Sequence, residues 1–367
     1  MFFTKLLIIW TIFHFYVFWR LSSIPFISKR LSRVAILLIM AFVWGSFLAG
    51  HTLDRMDAGG WAYPLEVFGA NWMGVLLLLA LCFGVADILT GFGLWLKHRL
   101  PAIRTAALVA ACLLSAVALV QGMRGPVINS YEVTMPGLPA EADGLTAVVI
   151  TDTHLGSIIG STWMEARAEQ IAALKPDIIL AVGDIIEGHG AHEWENIPAL
   201  KKLSAPLGVW AVNGNHENHG GAGSGFLEAA GMKMLHNQWK EARPGLIVAG
   251  VNDWGGYDER TSFPDVERAL AGIPKNKAVI FLSHRPDGAL TAARAGADLM
   301  LSGHTHGGQI WPFSYLTQWK YPLFAGRYQI EDMTAVVSRG AGTWGPRMRL
   351  WHPGEILNIT LRSSKTN

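Results

Sequence analysis

Four long apolar runs crowd the first third of the chain, and they limit its fold more than any other feature. They are Leu6 to Trp19, Val34 to Gly50, about Trp72 to Leu96, and Thr105 to Gln121. Spanning a bilayer takes about 20 apolar residues, with a range of about 17–25. The last three runs meet this length; the first falls short unless it starts at Met1 and tolerates Lys5. No small-residue cleavage site follows the first run, so an uncleaved helix is favoured over a signal peptide. The chain is 51% hydrophobic and 16% charged, and nearly all of the apolar excess lies before Arg124. Beyond Arg124 the composition is that of an ordinary globular domain.

Loop charges set the expected orientation. The first loop holds Arg20, Lys29, Arg30 and Arg33, and the third holds Lys97, Arg99 and Arg104. The second sets Arg55 against Asp54, Asp57 and Glu66. Loops one and three are therefore expected in the cytoplasm, with both termini and the globular part outside; Arg124 argues the other way. In a bacterium the chain would then be integral to the cytoplasmic membrane, with its globular part expected outside the cytoplasm. Helices are expected at 6–19, 34–50, 72–96 and 105–121, within a membrane domain at 1–123. A linker at 124–145, containing Pro and Gly, and a globular domain at 146–367 follow. His14 and Asp87 fall inside the apolar runs, where a contact between helices is the plainer reading than a functional site.

In the globular part a pattern repeats: a short run rich in Val, Ile and Leu, then polar residues. Ala147 to Thr151 precedes Asp152 and His154, and Asp177 to Val182 precedes Gly183 and Asp184. Leu207 to Val212 precedes Asn213 to Glu217, Ala278 to Leu282 precedes His284, and Leu299 to Leu301 precedes Gly303 to His306. Such runs read as buried strands. Met164 to Leu174 and Asp265 to Ala271 have helical spacing, so the class is α/β. Ligands in such sheets gather at the carboxyl ends of strands. A single histidine there is more often structural; five such ends together point to metal. Asp152 and His154, two apart at strand spacing, face one way, as do His304 and His306. Carboxylate, imidazole and amide donors together suit Mn, Fe, Co or Zn better than Ca or Mg.

The ordered set Asp152-x-His154, Gly183-Asp184, Gly214-Asn215-His216-Glu217, His284 and Gly303-His304-x-His306 resembles the calcineurin-like metallophosphoesterase family. The resemblance covers about Gly144 to Arg362. The Gly307-Gly308-Gln309 extension, the Arg339-Gly340-Ala341-Gly342 turn and the N-terminal helices are similar to the membrane-associated branch of YkuE- and YaeI-like proteins. The resemblance implies a layered α-β-β-α sandwich behind a four-span helical membrane domain, and two divalent metal ions. Asp152, His154, Asp184 and His306 would hold one ion; Asp184, Asn215, His284 and His304 the other. His216 would stand beside the ions as a catalytic group, supported by Glu187. The arginine that follows this acidic residue in the protein-phosphatase branch is replaced by Gly188, which argues against phosphoprotein substrates.

Two divalent ions against Asp152, Asp184 and a bridging hydroxide leave a net positive centre, suited to phosphate. The expected reaction is direct attack of that hydroxide on phosphorus, with inversion, on a phosphodiester, phosphomonoester or pyrophosphate. His216, oriented by Glu187, would protonate the leaving oxygen or steady the transition-state charge. Partners are then a phosphate-ester or phospholipid-like substrate and membrane lipids. Some members of the resembled branch cleave a UDP-diacylglucosamine, a chemistry usually placed at the cytoplasmic face and so at odds with the expected topology. Net charge is only +2, with no run of Lys or Arg near the motifs, which argues against nucleic acid. The alternatives are a nucleotide phosphodiesterase or nuclease, and a membrane sensor that holds metal without turnover. The loops expected around the site are Gly188 to Trp194 with His189 and His192, His219 to Gly225, Asn252 to Tyr257, and the aromatic-rich stretch from Trp311 to Tyr328. That stretch either dips into a membrane or packs on the protein's own core. The histidines His189, His192 and His219 are expected to be solvated.

Overall fold

The computed structural model describes residues 2–56, 59–188, 193–219, 225–253 and 259–364. The chain forms two compact units, one of Met1–Met123 with Gly345–Leu350, the other of Arg124–Trp344 with Trp351–Asn367.

The first unit is helical. Its long helices are Phe2–Ser22, Arg33–Arg55, Ala62–Leu89 and Leu100–Met123. Three stretches, Arg33–Arg55, Ala62–Leu89 and Lys97–Met123, are long and apolar enough to cross a membrane, with mean hydropathies of 2.0, 2.3 and 2.2. Leu7–Ser22 is a shorter apolar helix. The expected 72–96 helix is displaced: it starts at Ala62 and stops at Leu89. It starts early because Glu66 is paired with His51 Nδ1 at 3.1 Å inside the bundle. It stops early because Gly91, Phe92 and Gly93 all take left-handed backbone, which a right-handed helix cannot continue. Two glycines bring neighbouring helices together. A Cβ on Gly50 would lie 2.4 Å from the Glu66 backbone nitrogen, and one on Gly69 would lie 2.4 Å from Phe47 Cα. Small residues at such crossings let backbones approach. His14 and Asp87 both make interhelical contacts. His14 takes the Trp10 carbonyl at 2.8 Å and the Trp72 indole N–H at 2.9 Å.

The second unit is built on twelve strands: β1 (Val127–Met135), β2 (Leu145–Ile150), β3 (Ile178–Val182), β4 (Val209–Val212), β5 (Lys233–Met234), β6 (Gln238–Arg243), β7 (Leu246–Gly250), β8 (Ala278–Leu282), β9 (Leu299–Ser302), β10 (Gly326–Ile330), β11 (Met333–Val337) and β12 (Glu355–Ser363). They form two six-stranded sheets, ordered β1-β12-β2-β3-β4-β5 and β10-β11-β9-β8-β7-β6. Strands β2 to β5 run parallel, as do β7, β8, β9 and β11. Alternation along the strands builds three apolar layers. Val149, Leu180, Val248, Ile280 and Leu301 meet between the sheets. Val148, Ile179 and Ala181 face the opposite way, towards Met164, Ala168 and Ile171 of the Ser161–Ala172 helix. Val279, Phe281 and Met300 face Val266 and Leu270 of the Glu259–Leu270 helix. This is the expected α-β-β-α order.

The expected linker at 124–145 is largely structure. Within it β1 pairs in parallel with β12, from Val127 opposite Glu355 to Met135 opposite Ser363. Val133, Met135, Leu138 and Ala142 are fully buried between the sheets. As a sheet-edge strand it carries exposed Ser130, Glu132 and Thr134, which makes its sequence resemble a polar connector.

Candidate metal centre

The parallel strands of both sheets deliver their carboxyl ends to one place. Asp152 and His154 follow β2, Asp184 follows β3, Asn215 and His216 follow β4, His284 follows β8, and His304 and His306 follow β9. The backbone there is unusual: Asp152, His154, Asp184, His304 and His306 all have positive φ, between 48° and 70°. Left-handed backbone at non-glycine residues is costly and clusters at functional sites. Two glycines make room for the carboxylates. A Cβ on Gly214 would lie 2.1 Å from Asp184 Oδ1, and one on Gly303 2.2 Å from Asp152 Oδ2.

Three overlapping groups bring ligand atoms within 4.8 Å of one another: Asp152, His154 and His306; His154, Asp184 and His216; and Asp184, His284 and His304. Asp184 ties them together. Its Oδ1 accepts from the His216 backbone N–H at 2.9 Å. Its Oδ2 lies 3.1 Å from His284 Nε2 and 3.9 Å from His154 Nε2. Asp152 accepts from the Thr151 hydroxyl at 2.8 Å and from the His304 N–H at 3.0 Å, and its Oδ1 lies 3.4 Å from His306 Nε2.

The imidazoles of His154, His284 and His304 are each aimed by a bond to the other nitrogen, a device that fixes the tautomer of a metal-binding histidine. His284 Nδ1 donates to the Val182 carbonyl at 2.8 Å. His154 Nδ1 meets Glu187 Oε2 at 2.8 Å, leaving Nε2 only 3.0 Å from His306 Nε2. His304 Nε2 meets Tyr321 Oη at 3.0 Å, and its Nδ1 lies 3.3 Å from His284 Nε2. Glu187, expected to support His216, divides its attention. Its carboxylate is closer to His154, with Oε1 3.5 Å from His216 Nδ1. Its carbonyl oxygen is the nearer partner of that Nδ1, at 2.9 Å.

Electrostatics reflect the crowding. Burial raises the Asp152 carboxyl above the usual range, with Asp184 adding to this against the pull of His284 and His154. Burial would raise Asp184 too, but His284, His216 and His154 outweigh it and hold that carboxyl well below the usual range. Burial works against a charged His284, yet Asp184 and Asp152 push it up to about 10. His304 goes the other way, lowered by burial and then by His284.

The donors fit divalent ions. Among the described residues, imidazole nitrogen and carboxylate oxygen atoms converge here, and Asn215 Oδ1 is buried without a hydrogen-bond partner. A buried amide oxygen left in that state calls for a cation or water.

Two residues without an expected role belong to the site's frame. Glu217 is fully buried and accepts from the backbone N–H groups of Asp184, Ile185, Ile186 and Gly214. Burial, then Asp184, pushes its carboxyl up to about 7 against those bonds. Its place after His216 in the motif was the available signal. Tyr321 carries no such signal. The Arg339–Gly342 turn lies alongside: Ala341 and Gly342 donate to the carbonyls of Thr151 and Asp152, both at 2.9 Å. His189, His192 and residues 254–257 lie outside the described residues, as does most of the 219–225 loop, and the side chain of His219 is not described.

Comparison with known proteins agrees with this geometry. The calcineurin-like phosphoesterase profile matches residues 145–308. A zebrafish (Danio rerio) transmembrane protein with metallophosphoesterase domain is 28% identical over 366 residues, covering 93% of this chain and 82% of its own. The metallophosphoesterase YkuE of Bacillus subtilis, itself uncharacterised, is 31% identical over 241 residues, covering 62% of this chain and 82% of its own. An uncharacterised metallophosphoesterase of Campylobacter jejuni is 33% identical over 248 residues, and the chain spans 65% of that relative's length.

Proposed function

Since the chain belongs to the calcineurin-like metallophosphoesterase family, we propose that it is a membrane-anchored hydrolase of phosphate esters with a two-metal centre. The observation that carries this is the position of Asp184. Its Oδ2 faces His284 on one side and His154 on the other, where one carboxylate can serve two ions. Asp152, His154, Asp184 and His306 would hold one ion, and Asp184, Asn215, His284 and His304 the other. Bound there, the ions would polarise a phosphoryl oxygen and acidify water for in-line attack.

The chain's own residues do the rest. The His216 ring donates from Nδ1 to the Glu187 carbonyl, so Nε2 is the atom left for the leaving oxygen, to which the imidazolium form would give its second proton. Glu187, Val182 and Tyr321 hold the imidazoles of His154, His284 and His304 in the tautomers that aim their remaining nitrogens inward. Glu217 holds the ends of β3 and β4 together, and so fixes Asp184 against His216. A lipid-linked ester is the substrate class that the apolar helices favour, and the loop charges favour a catalytic unit outside the cytoplasm.

Metal analysis of the purified full chain, with a panel of soluble diesters, monoesters and pyrophosphates, tests the reading. Near two ions per chain and ester hydrolysis are expected. Full activity with one ion or none would refute the two-metal centre. A chiral phosphate substrate should be hydrolysed with inversion; retention would remove direct attack. A reporter fused after Asn367 should signal from outside the cytoplasm.

A further inference from the structure

The Phe313–Lys320 helix is built inside out for a helix facing water. Ser314 is 7% exposed, while Phe313 is 49%, Leu316 58%, Tyr315 65% and Trp319 86% exposed. Ser314 can pack inward because Gly308 has no side chain: a Cβ there would lie 2.2 Å from Ser314 Cα. A surface helix normally buries its large apolar residues and leaves the small polar ones outside. Among the described residues of the catalytic unit, nine large apolar side chains are exposed, and four of them lie on this eight-residue helix. That concentration marks an interaction surface rather than scattered exposure.

We propose that this helix is an interfacial anchor that lays its aromatic side into the surface of a lipid bilayer. The chain itself supplies the reason to choose lipid. Residues 124–126 alone separate the last apolar helix from β1, a tether of roughly 10 Å at full stretch. The catalytic unit therefore works at a membrane surface wherever those helices span one. Trp, Tyr and Phe beside a lysine are the residues that settle at the headgroup level, and Lys320, at the helix end, is exposed beside Trp319. Such helices sit about 5–10 Å into the headgroup and acyl boundary. The helix also borders the metal centre through the chain: His306 precedes it, and Tyr321, which follows it, reaches His304 Nε2 at 3.0 Å. Insertion would hold the centre against the surface from which an ester with acyl chains presents its phosphate. This rests on the proposed reading of a membrane-anchored phosphohydrolase.

The test uses the full chain in nanodiscs of phosphatidylcholine and phosphatidylglycerol. Cys82→Ala and Cys112→Ala remove the native thiols, and Trp319→Cys or Lys201→Cys places a fluorophore. Lys201 is exposed and precedes β4, at the opposite end of the strands from the centre. Spin-labelled lipid should quench the label at 319 at least threefold more than the label at 201, roughly as shallow insertion requires. Equal or absent quenching overturns the proposal. In a second arm, Tyr315→Ser, Leu316→Ser and Trp319→Ser are combined. Hydrolysis of a vesicle-embedded phosphate ester should fall about tenfold, and that of a water-soluble diester by less than about twofold, as loss of an apolar surface contact implies. Equal loss on both substrates overturns the link to lipid. Selective loss without quenching would assign the face to the acyl chain of a single ligand, and the anchor would be rejected. If the unaltered protein hydrolysed neither substrate, the phosphohydrolase reading would fall, and quenching alone would still decide insertion.

Discussion

Two regions of this molecule bury carboxylates, and they treat them in opposite ways. In the helical unit Asp87 accepts from Arg20 Nε at 2.7 Å and from Tyr16 Oη at 2.6 Å. One acid meets one cation and one hydroxyl, all from the chain, on helical backbone. In the catalytic unit Asp152 and Asp184 lie among five histidines, on left-handed backbone, with the Asn215 oxygen unpartnered. None of these eight side chains carries a permanent positive charge. The first arrangement is complete as folded. The second is arranged for something the chain does not provide, and the difference separates a structural ion pair from a binding centre.

The comparison breaks most directly at Asp184. Asp184→Asn removes the carboxylate that faces both ligand groups. If two ions are worth several kcal/mol to the transition state, ester hydrolysis should fall by at least ~10³-fold. Metal content by mass spectrometry should fall with it, while the fold survives. Unchanged activity and metal content would mean that the centre is misassigned. Asp87→Ala should do the reverse. It leaves Arg20 buried without its partner, which costs about 3 kcal/mol or more, roughly a hundredfold in the folding equilibrium. Thermal unfolding in detergent should show this, and hydrolysis of a soluble ester per folded molecule should be unchanged.

What the sequence made legible follows from the same contrast. Asp152, His154, Asp184, His284, His304 and His306 could be read because each stands at the end of an apolar run, and strand ends converge in an α/β sheet. β1 could not, because its partner β12 lies 228 residues further on, from Val127 to Glu355, and its own residues alternate like an exposed edge. The sheet order that places β12 between β1 and β2 is equally non-local. The start of the Ala62–Leu89 helix was hidden for an opposite reason: Glu66 looks like a boundary until His51, from the neighbouring helix, supplies its bonding partner at 3.1 Å. The positive φ of five candidate ligands is only faintly legible in residue type: Asp and His are enriched in left-handed backbone, but most copies of either sit in ordinary backbone.

Proton linkage sharpens the comparison at intermediate scale. In the metal-free centre His284 is pushed up to about 10 by Asp184 and Asp152, against its burial. Its folded value is thus above the ordinary 6.5, so the imidazolium stabilises the metal-free fold below about pH 6.5, and that stability is lost as pH rises through about 10. A cation must displace this proton. Metal affinity should therefore strengthen with pH over that window, by about tenfold per unit for each proton released. Calorimetric titration at pH 7.5 in buffers of different ionisation heat should report proton release on metal uptake. Release of no protons would show that the histidine is already neutral.

The smallest expected effect compares two ways of aiming a ligand within the centre. His154 is held by the Glu187 carboxylate at 2.8 Å, and His304 by the neutral Tyr321 hydroxyl at 3.0 Å. A bond to a charged group is roughly twice as strong as a neutral one, so Tyr321→Phe is the milder way to release a ligand ring. It removes one hydroxyl and keeps the ring that packs edge-on to His304, with centroids 5.3 Å apart. Loss of about 1 kcal/mol predicts a roughly fivefold weaker hold on one ion, read as a fall in the affinity of the weaker step of a two-step metal titration. The other ion should be unaffected, because Tyr321 is bonded to His304, on the Asp184 and His284 side of the cluster. If both steps weakened together, the two ions would share His304 through Asp184 more tightly than the separate ligand groups imply. The centre would then behave as one unit, as the ion pair in the helical unit does.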